Sequence, residues 1–170
     1  MQSSVWIDVA ATPEVVFRLA CDVTRWPDLL PHYVSVRVLD AARPDGSAVA
    51  RMVARRPLID VLGLGLPVTW QARVWNEPAT RRLRFVHVAG ATKGMSVTWR
   101  IEPNGTGCRV SIEHDFHPPV PLFAEIVDRW FVRPIARRTL ATFRALAEAV
   151  TAAAGATGES ERPPLTNPST

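Results

Sequence analysis

The chain has 170 residues, 47% apolar and 21% charged; that length suits one domain, and that balance excludes a disordered chain or a coiled coil. Lys93 is the only lysine among 20 basic side chains and the net charge is +4, yet the arginines are scattered among carboxylates rather than gathered into a run, which argues against a nucleic-acid reader. No apolar run reaches the roughly 18 residues of a membrane span, and MQSSVWIDVA lacks the basic start and apolar stretch of a signal peptide, so a cytoplasmic protein with no membrane partner is expected.

Val5, Ile7 and Val9 alternate with Trp6, Asp8 and Ala10, the period of a half-buried strand. The period then changes: Thr12-Pro13-Glu14 supplies an N-cap, a proline at the first helical position and an acid in the first turn, while Val15, Val16, Leu19 and Ala20 give one apolar face. Trp26-Pro27-Asp28-Leu29-Leu30-Pro31 is too proline-bounded for more than a single turn or short helix. Six β-rich runs follow, near 32–41, 47–56, 67–77, 81–89, 94–103 and 107–117. Short turn signals such as Arg43-Pro44-Asp45-Gly46 and Pro103-Asn104-Gly105-Thr106-Gly107 part them, which predicts an antiparallel meander. Between two of these runs, residues 58–67 (LIDVLGLGLP) are unexpectedly apolar and read as a mobile lid or a short helix, with Gly63 and Gly65 as hinges.

After Pro118-Pro119 a helical period returns, with Phe123, Ile126, Val127, Trp130 and Phe131 followed by Leu140, Phe143, Leu146 and Val150; Pro134 is expected to kink this helix. From about Ala154 the chain turns small, polar and proline-bearing, so a single domain over 1–153 and a disordered tail over 154–170 are expected. The fold class is therefore α+β: a curved sheet of seven antiparallel strands whose apolar face only the C-terminal helix is long enough to cover. Wherever the facing side chains fail to fill the space between sheet and helix, a deep apolar pocket remains. Cys21 and Cys108 lie far apart without C-x-x-C spacing, which gives neither a zinc site nor a disulfide framework, and both read as small buried hydrophobes.

The segment LACDVTRWPDLLPHYVSVRVLD, residues 19–40, with its Trp-Pro pair, following acid and aromatic Tyr33, resembles the START-like, helix-grip superfamily, and within it the polyketide cyclase/aromatases. ARRP at 54–57, ARVWNEP at 72–78, GMSVTWRIEP at 94–103 and RVSIEHDF at 109–116 extend the likeness over nearly the whole folded part. The resemblance implies regioselective aldol closure and dehydration of a poly-β-ketone chain, with an acyl carrier protein as partner, a monomer or homodimer, and no metal or organic cofactor. The same opening occurs in relatives that only bind lipids, quinones or hormones, so a carrier of a hydrophobic small molecule stands as the alternative.

Three residues are candidates for the chemistry. Arg73 sits mid-strand where the resembling cyclases keep a pocket arginine, and there its guanidinium would hold an enolate oxygen. Alternation groups it with Thr69, Gln71 and Trp75 against the more apolar Trp70, Ala72 and Val74, so the pattern alone points it to solvent unless the Gln71–Trp75 face lines a polar cavity. Tyr33, the only tyrosine, can donate to a carbonyl or simply pack, and alternation would send the adjacent His32 the opposite way. His114 shares a strand face with Cys108, Val110, Ile112 and Phe116, which aims it inward, either as a core histidine or as a proton carrier. Trp26, His87, Met95, Trp99 and Phe116, together with Phe123, Val127 and Trp130 of the helix, complete the expected substrate wall beside Gln71 and Trp75. Arg133, Arg137 and Arg138, or Arg51, Arg55 and Arg56, would suit an acidic carrier protein or be ordinary solvated surface.

Overall fold

The computed structural model describes residues 1–40, 43–59, 64–119 and 121–160. Strand β1 (Gln2–Val9) leads into helix α1 (Pro13–Ala20), which starts at Pro13, carries Glu14 in its first turn and buries Val16 and Ala20 one turn apart. Asp22 accepts hydrogen bonds from the Thr24 amide and hydroxyl, which sets the 3-10 turn Val23–Arg25 ahead of α2 (Trp26–Leu29). Strands β2 (Tyr33–Asp40), β3 (Ala48–Ile59), β4 (Leu64–Glu77), β5 (Arg82–Gly90), β6 (Ser96–Asn104) and β7 (Gly107–Asp115) form the predicted meander. The sheet order is β1-β7-β6-β5-β4-β3-β2, antiparallel throughout. Gly107 is required at the start of β7, because a Cβ there would lie 2.2 Å from the Val9 carbonyl oxygen.

The apolar run at 58–67 does not make a helix over the mouth. Its described residues continue β3 and β4, with Pro57 opposite Gly65 and Ile59 opposite Leu64, while residues 60–63, Gly63 among them, lie outside the described chain. An apolar run between two strands can extend both as a hairpin, and here the ladder takes it.

The C-terminal helix is continuous but changes winding. Helix α3 (Pro121–Val127) passes into a π-helical turn, Asp128–Val132, and then into α4 (Arg133–Ser160). The Arg133 amide donates to the Asp128 carbonyl, five residues back, immediately before Pro134, which has no amide hydrogen to give. The expected kink is thus a π-turn, one residue wider than an α-turn. Helix α4 runs past Ala154 to Ser160, further than the boundary read from composition, and residues 161–170 lie outside the described chain.

Helix α4 buries Ala136, Thr139, Leu140, Phe143 and Ala147 against the concave face of the sheet. Trp26 joins the two layers: only 2% exposed, its indole lies 5.1 Å from the Tyr33 ring, 5.3 Å from Trp99 and 6.0 Å from Phe143 by ring centroids, and its Nε1–H donates to the Ala20 carbonyl at 3.1 Å. No described helix is long and apolar enough to cross a membrane.

Candidate functional site

A cavity of about 90 Å³ lies between the concave sheet face and the helix. Four strands supply residues two apart, as alternation demands: Val68 and Trp70 from β4, Phe85 and His87 from β5, Val97 and Trp99 from β6, Ile112 and His114 from β7, while β2 and β3 add Tyr33 and Met52. The helix closes the other side with Phe131, Val132, Ile135, Ala136 and Thr139. Five lining residues, Tyr33, His87, Thr92, His114 and Thr139, bring hydroxyls or imidazoles, and the rest is hydrocarbon and aromatic.

The polar groups fall into two sets. In the first, His32 Nε2 meets Thr139 Oγ1 at 2.8 Å, and the Thr139 hydroxyl also hydrogen-bonds the Tyr33 phenol. Burial pushes the phenol well above its ordinary range, so it is a neutral O–H donor, with the Thr139 bond opposing only part of that shift. The rings of His32 and Tyr33 are 5.0 Å apart. His32 belongs to the turn before β2, where strand alternation has no hold, so it turns inward beside Tyr33 instead of away from it.

The second set is built on β5 and β7. Gly90, at φ +99°, has no room for a Cβ against the Thr69 carbonyl at 2.9 Å, and it opens the turn that returns Thr92 to His87. There His87 Nδ1 and Thr92 Oγ1 lie 2.6 Å apart, and the imidazole stacks on Trp70 with 5.8 Å between centroids. Burial holds His87 down at about 4, with the neighbouring His114 adding to the effect. His114 is also held at about 4 by burial, against an upward pull from the Asp128 carboxylate and with a smaller push down from Arg133. Its Nδ1 is buried without a protein partner. Behind it, Asp128 accepts from Ser3 Oγ at 2.7 Å and from Arg133 Nε at 2.6 Å, a buried carboxylate that the π-turn carries to the sheet edge. Among the described residues no cluster of three or more histidines, cysteines or carboxylates could hold a metal ion.

Of the residues expected from sequence, Tyr33, His114, Trp26, His87, Met95 and Trp99 line the cavity. Arg73 does not. It lies exposed on the outer face of β4 with Gln71 and Trp75, opposite Val49 and Val86 of the neighbouring strands, because the apolar set Trp70, Ala72 and Val74 takes the concave face. Phe116 is buried but packs on Phe123, outside the cavity lining. Phe123 and Trp130 are exposed and Val127 is buried outside the cavity lining, which the helix enters only from Phe131 onward. Cys108 is buried, whereas Cys21 is only half-buried, and both are free thiols. Sequence reading missed Trp70, Thr92 and Thr139. Trp70 carried a usable signal in its apolar alternation set, and Thr139 in its spacing of four from Ile135.

A family profile described as "Polyketide cyclase / dehydrase and lipid transport" matches residues 2–148, and the chain belongs to that family. The Zhui aromatase/cyclase from Streptomyces sp. R1128 superposes with a TM-score of 0.74 at 20% identity, over 91% of this chain and 98% of that one. The di-domain aromatase/cyclase BexL from the BE-7585A biosynthetic pathway is 26% identical with a TM-score of 0.69, over 89% of this chain and 47% of that one. A START superfamily protein from Mycobacterium smegmatis gives 0.62 at 18% identity, over 85% and 98% of the two chains. The architecture is the START-like helix-grip fold.

Proposed function

We propose, from the premise that the chain belongs to the polyketide cyclase/dehydrase and lipid-transport family, that it closes and dehydrates a poly-β-ketone chain by aldol chemistry. The observation that carries this reading is the pair of polar sets on an otherwise apolar wall: neutral imidazoles from β5 and β7, and the Tyr33–Thr139 hydroxyls between β2 and α4. A pure container has no use for buried imidazoles without full hydrogen bonding, which cost free energy to keep.

The chemistry follows from these states. His114, neutral, takes a proton from a methylene flanked by two carbonyls, and the enolate oxygen so formed accepts a hydrogen bond from the Tyr33 phenol. The enolate carbon attacks a second ketone of the folded chain, forming the ring C–C bond, and the resulting alkoxide recovers the proton from the imidazolium. Loss of a second α-proton to the imidazole and departure of the hydroxyl, protonated by that imidazolium, release one water and leave a C=C bond. Apolar walls exclude bulk water and stack the flat developing ring between Trp70, Phe85 and Trp99. Delivery of the chain by an acyl carrier protein is part of the proposal.

The test is reconstitution. A poly-β-ketone made by a minimal ketosynthase and carrier protein is expected to give one cyclised aromatic product with this protein and a spread of spontaneous products without it. The same spread in both cases would sink the reading and favour the second one, carriage of an apolar small molecule, which the mainly hydrocarbon lining supports.

A further inference from the structure

Helix α3 and the π-turn expose four large apolar side chains: Leu122 at 64%, Trp130 at 51%, Ile126 at 46% and Phe123 at 39%. Leu122, Ile126 and Trp130 are four residues apart, so they form one stripe along the helix. Beside it runs a second stripe with the same spacing, Arg129, Arg133 and Arg137, all exposed and bordering one surface depression together with Met1 and Gln2. The carboxylates of that depression are Glu125 and Asp128; Asp128 is buried and paired with Arg133, which leaves the rim net basic. The residues that follow Trp130, Phe131 and Val132, line the cavity.

The geometry points to a peripheral docking face for an anionic lipid bilayer. The apolar stripe, rich in Trp, Phe and aliphatic side chains, would sink to the level of the acyl boundary while the arginine stripe meets phosphate head groups. A spanning segment is not needed, so the absence of a long apolar helix is no obstacle. A bilayer fits better than an acidic protein, because an acidic surface complements the arginines but leaves Leu122, Phe123 and Trp130 facing charge. A second copy fits less well, because two-fold pairing of this face brings arginine stripes together. The inference does not depend on the cyclase reading: docking would place the helix that walls the cavity against a reservoir of apolar molecules, whatever happens to them inside.

The experiment is sedimentation of the full chain with vesicles of phosphatidylcholine alone and of phosphatidylcholine mixed with phosphatidylglycerol. Binding is expected only to the mixed vesicles, weakening as salt rises. Joint replacement Arg129→Glu and Arg137→Glu is expected to weaken it about tenfold or more, and Ile126→Ser with Trp130→Ser likewise. Leu122→Ser, at the most exposed position, serves as the second apolar variant if circular dichroism shows the pair misfolded. Equal binding to both vesicle types, no binding to either at low salt, or binding indifferent to all three variants would overturn the inference. A dimer in gel filtration that Trp130→Ser dissolves would assign the face to a second copy instead and overturn it equally.

Discussion

The imidazole of His32 and the hydroxyl of Thr139 meet at 2.8 Å across 107 residues of chain, one at the mouth of β2 and the other on α4. Their contact ties the helix to the edge of the meander and fixes the hydroxyl beside Tyr33. His32 Nδ1 is already buried without a protein partner, so the bond at Nε2 is the one that offsets the cost of burying this ring.

Thr139→Val keeps the shape and removes that partner. It is expected to destabilise the fold by about 1–3 kcal/mol, the cost of leaving a buried polar group unmade, read as a lower midpoint in urea with unchanged slope. Thr139→Ser is expected to restore most of it. Equal stability of the Val and Ser variants would show that the contact contributes nothing.

His32, His87 and His114 are each held at about 4 in the fold against 6.5 ordinarily, chiefly by burial. The unfolded chain therefore takes up protons that the fold refuses. The contribution of these three rings is expected to be full above about pH 6.5, to fall as pH drops from there to about 4, and to level off below, where carboxylates lowered by their partners, such as Asp8 and Glu148, take over the loss. Melting temperatures across that window check it, with His87→Gln giving a shallower fall. A flat profile would contradict the burial of these rings.

The same shift bears on turnover. A base that stays neutral down to about pH 4 gives an acid limb near that value, whereas a solvent-exposed histidine would give one near 6.5. His114→Ala is expected to lower turnover by about 10²-fold or more and let chains fall into spontaneous products. Tyr33→Phe is expected chiefly to change the ratio of ring isomers. Wild-type rate and product from both variants would remove them from the chemistry.

Arg73→Ala makes the opposite point. With its side chain on the outer face, stability is expected to stay within about 0.5 kcal/mol of wild type and product formation to be unchanged. Loss of cyclisation in a folded Arg73→Ala protein would mean that substrate reaches the convex side of the sheet.

The meander and its inward residues were legible because alternation is unambiguous where one face is wholly apolar, as for Val97 and Trp99 on β6 or Ile112 and His114 on β7. The same rule gave the solvent-facing position of Arg73 correctly, and the resemblance to pocket-arginine cyclases pulled against it. On the helix the difficulty was physical. Helical spacing says which residues share a face but not which face meets the sheet: Phe123 and Trp130, seven apart, do share one, but it is the exposed one, and the helix residues that line the cavity begin at Phe131. His32 escaped because it precedes the first residue of its strand, where no period applies.

The cavity holds about 90 Å³, well under the roughly 300 Å³ at the low end of sites for drug-sized ligands. If a poly-β-ketone is the ligand, as proposed, one long enough to close a ring would need conformers in which helix and sheet stand further apart. Its measured affinity is then the intrinsic one multiplied by the fraction of molecules so opened, and its observed association rate levels off at the opening rate as concentration rises. Chain length would in this way be judged by the work of separation, each added ketide unit demanding a rarer conformer, before any side chain recognises a particular carbonyl.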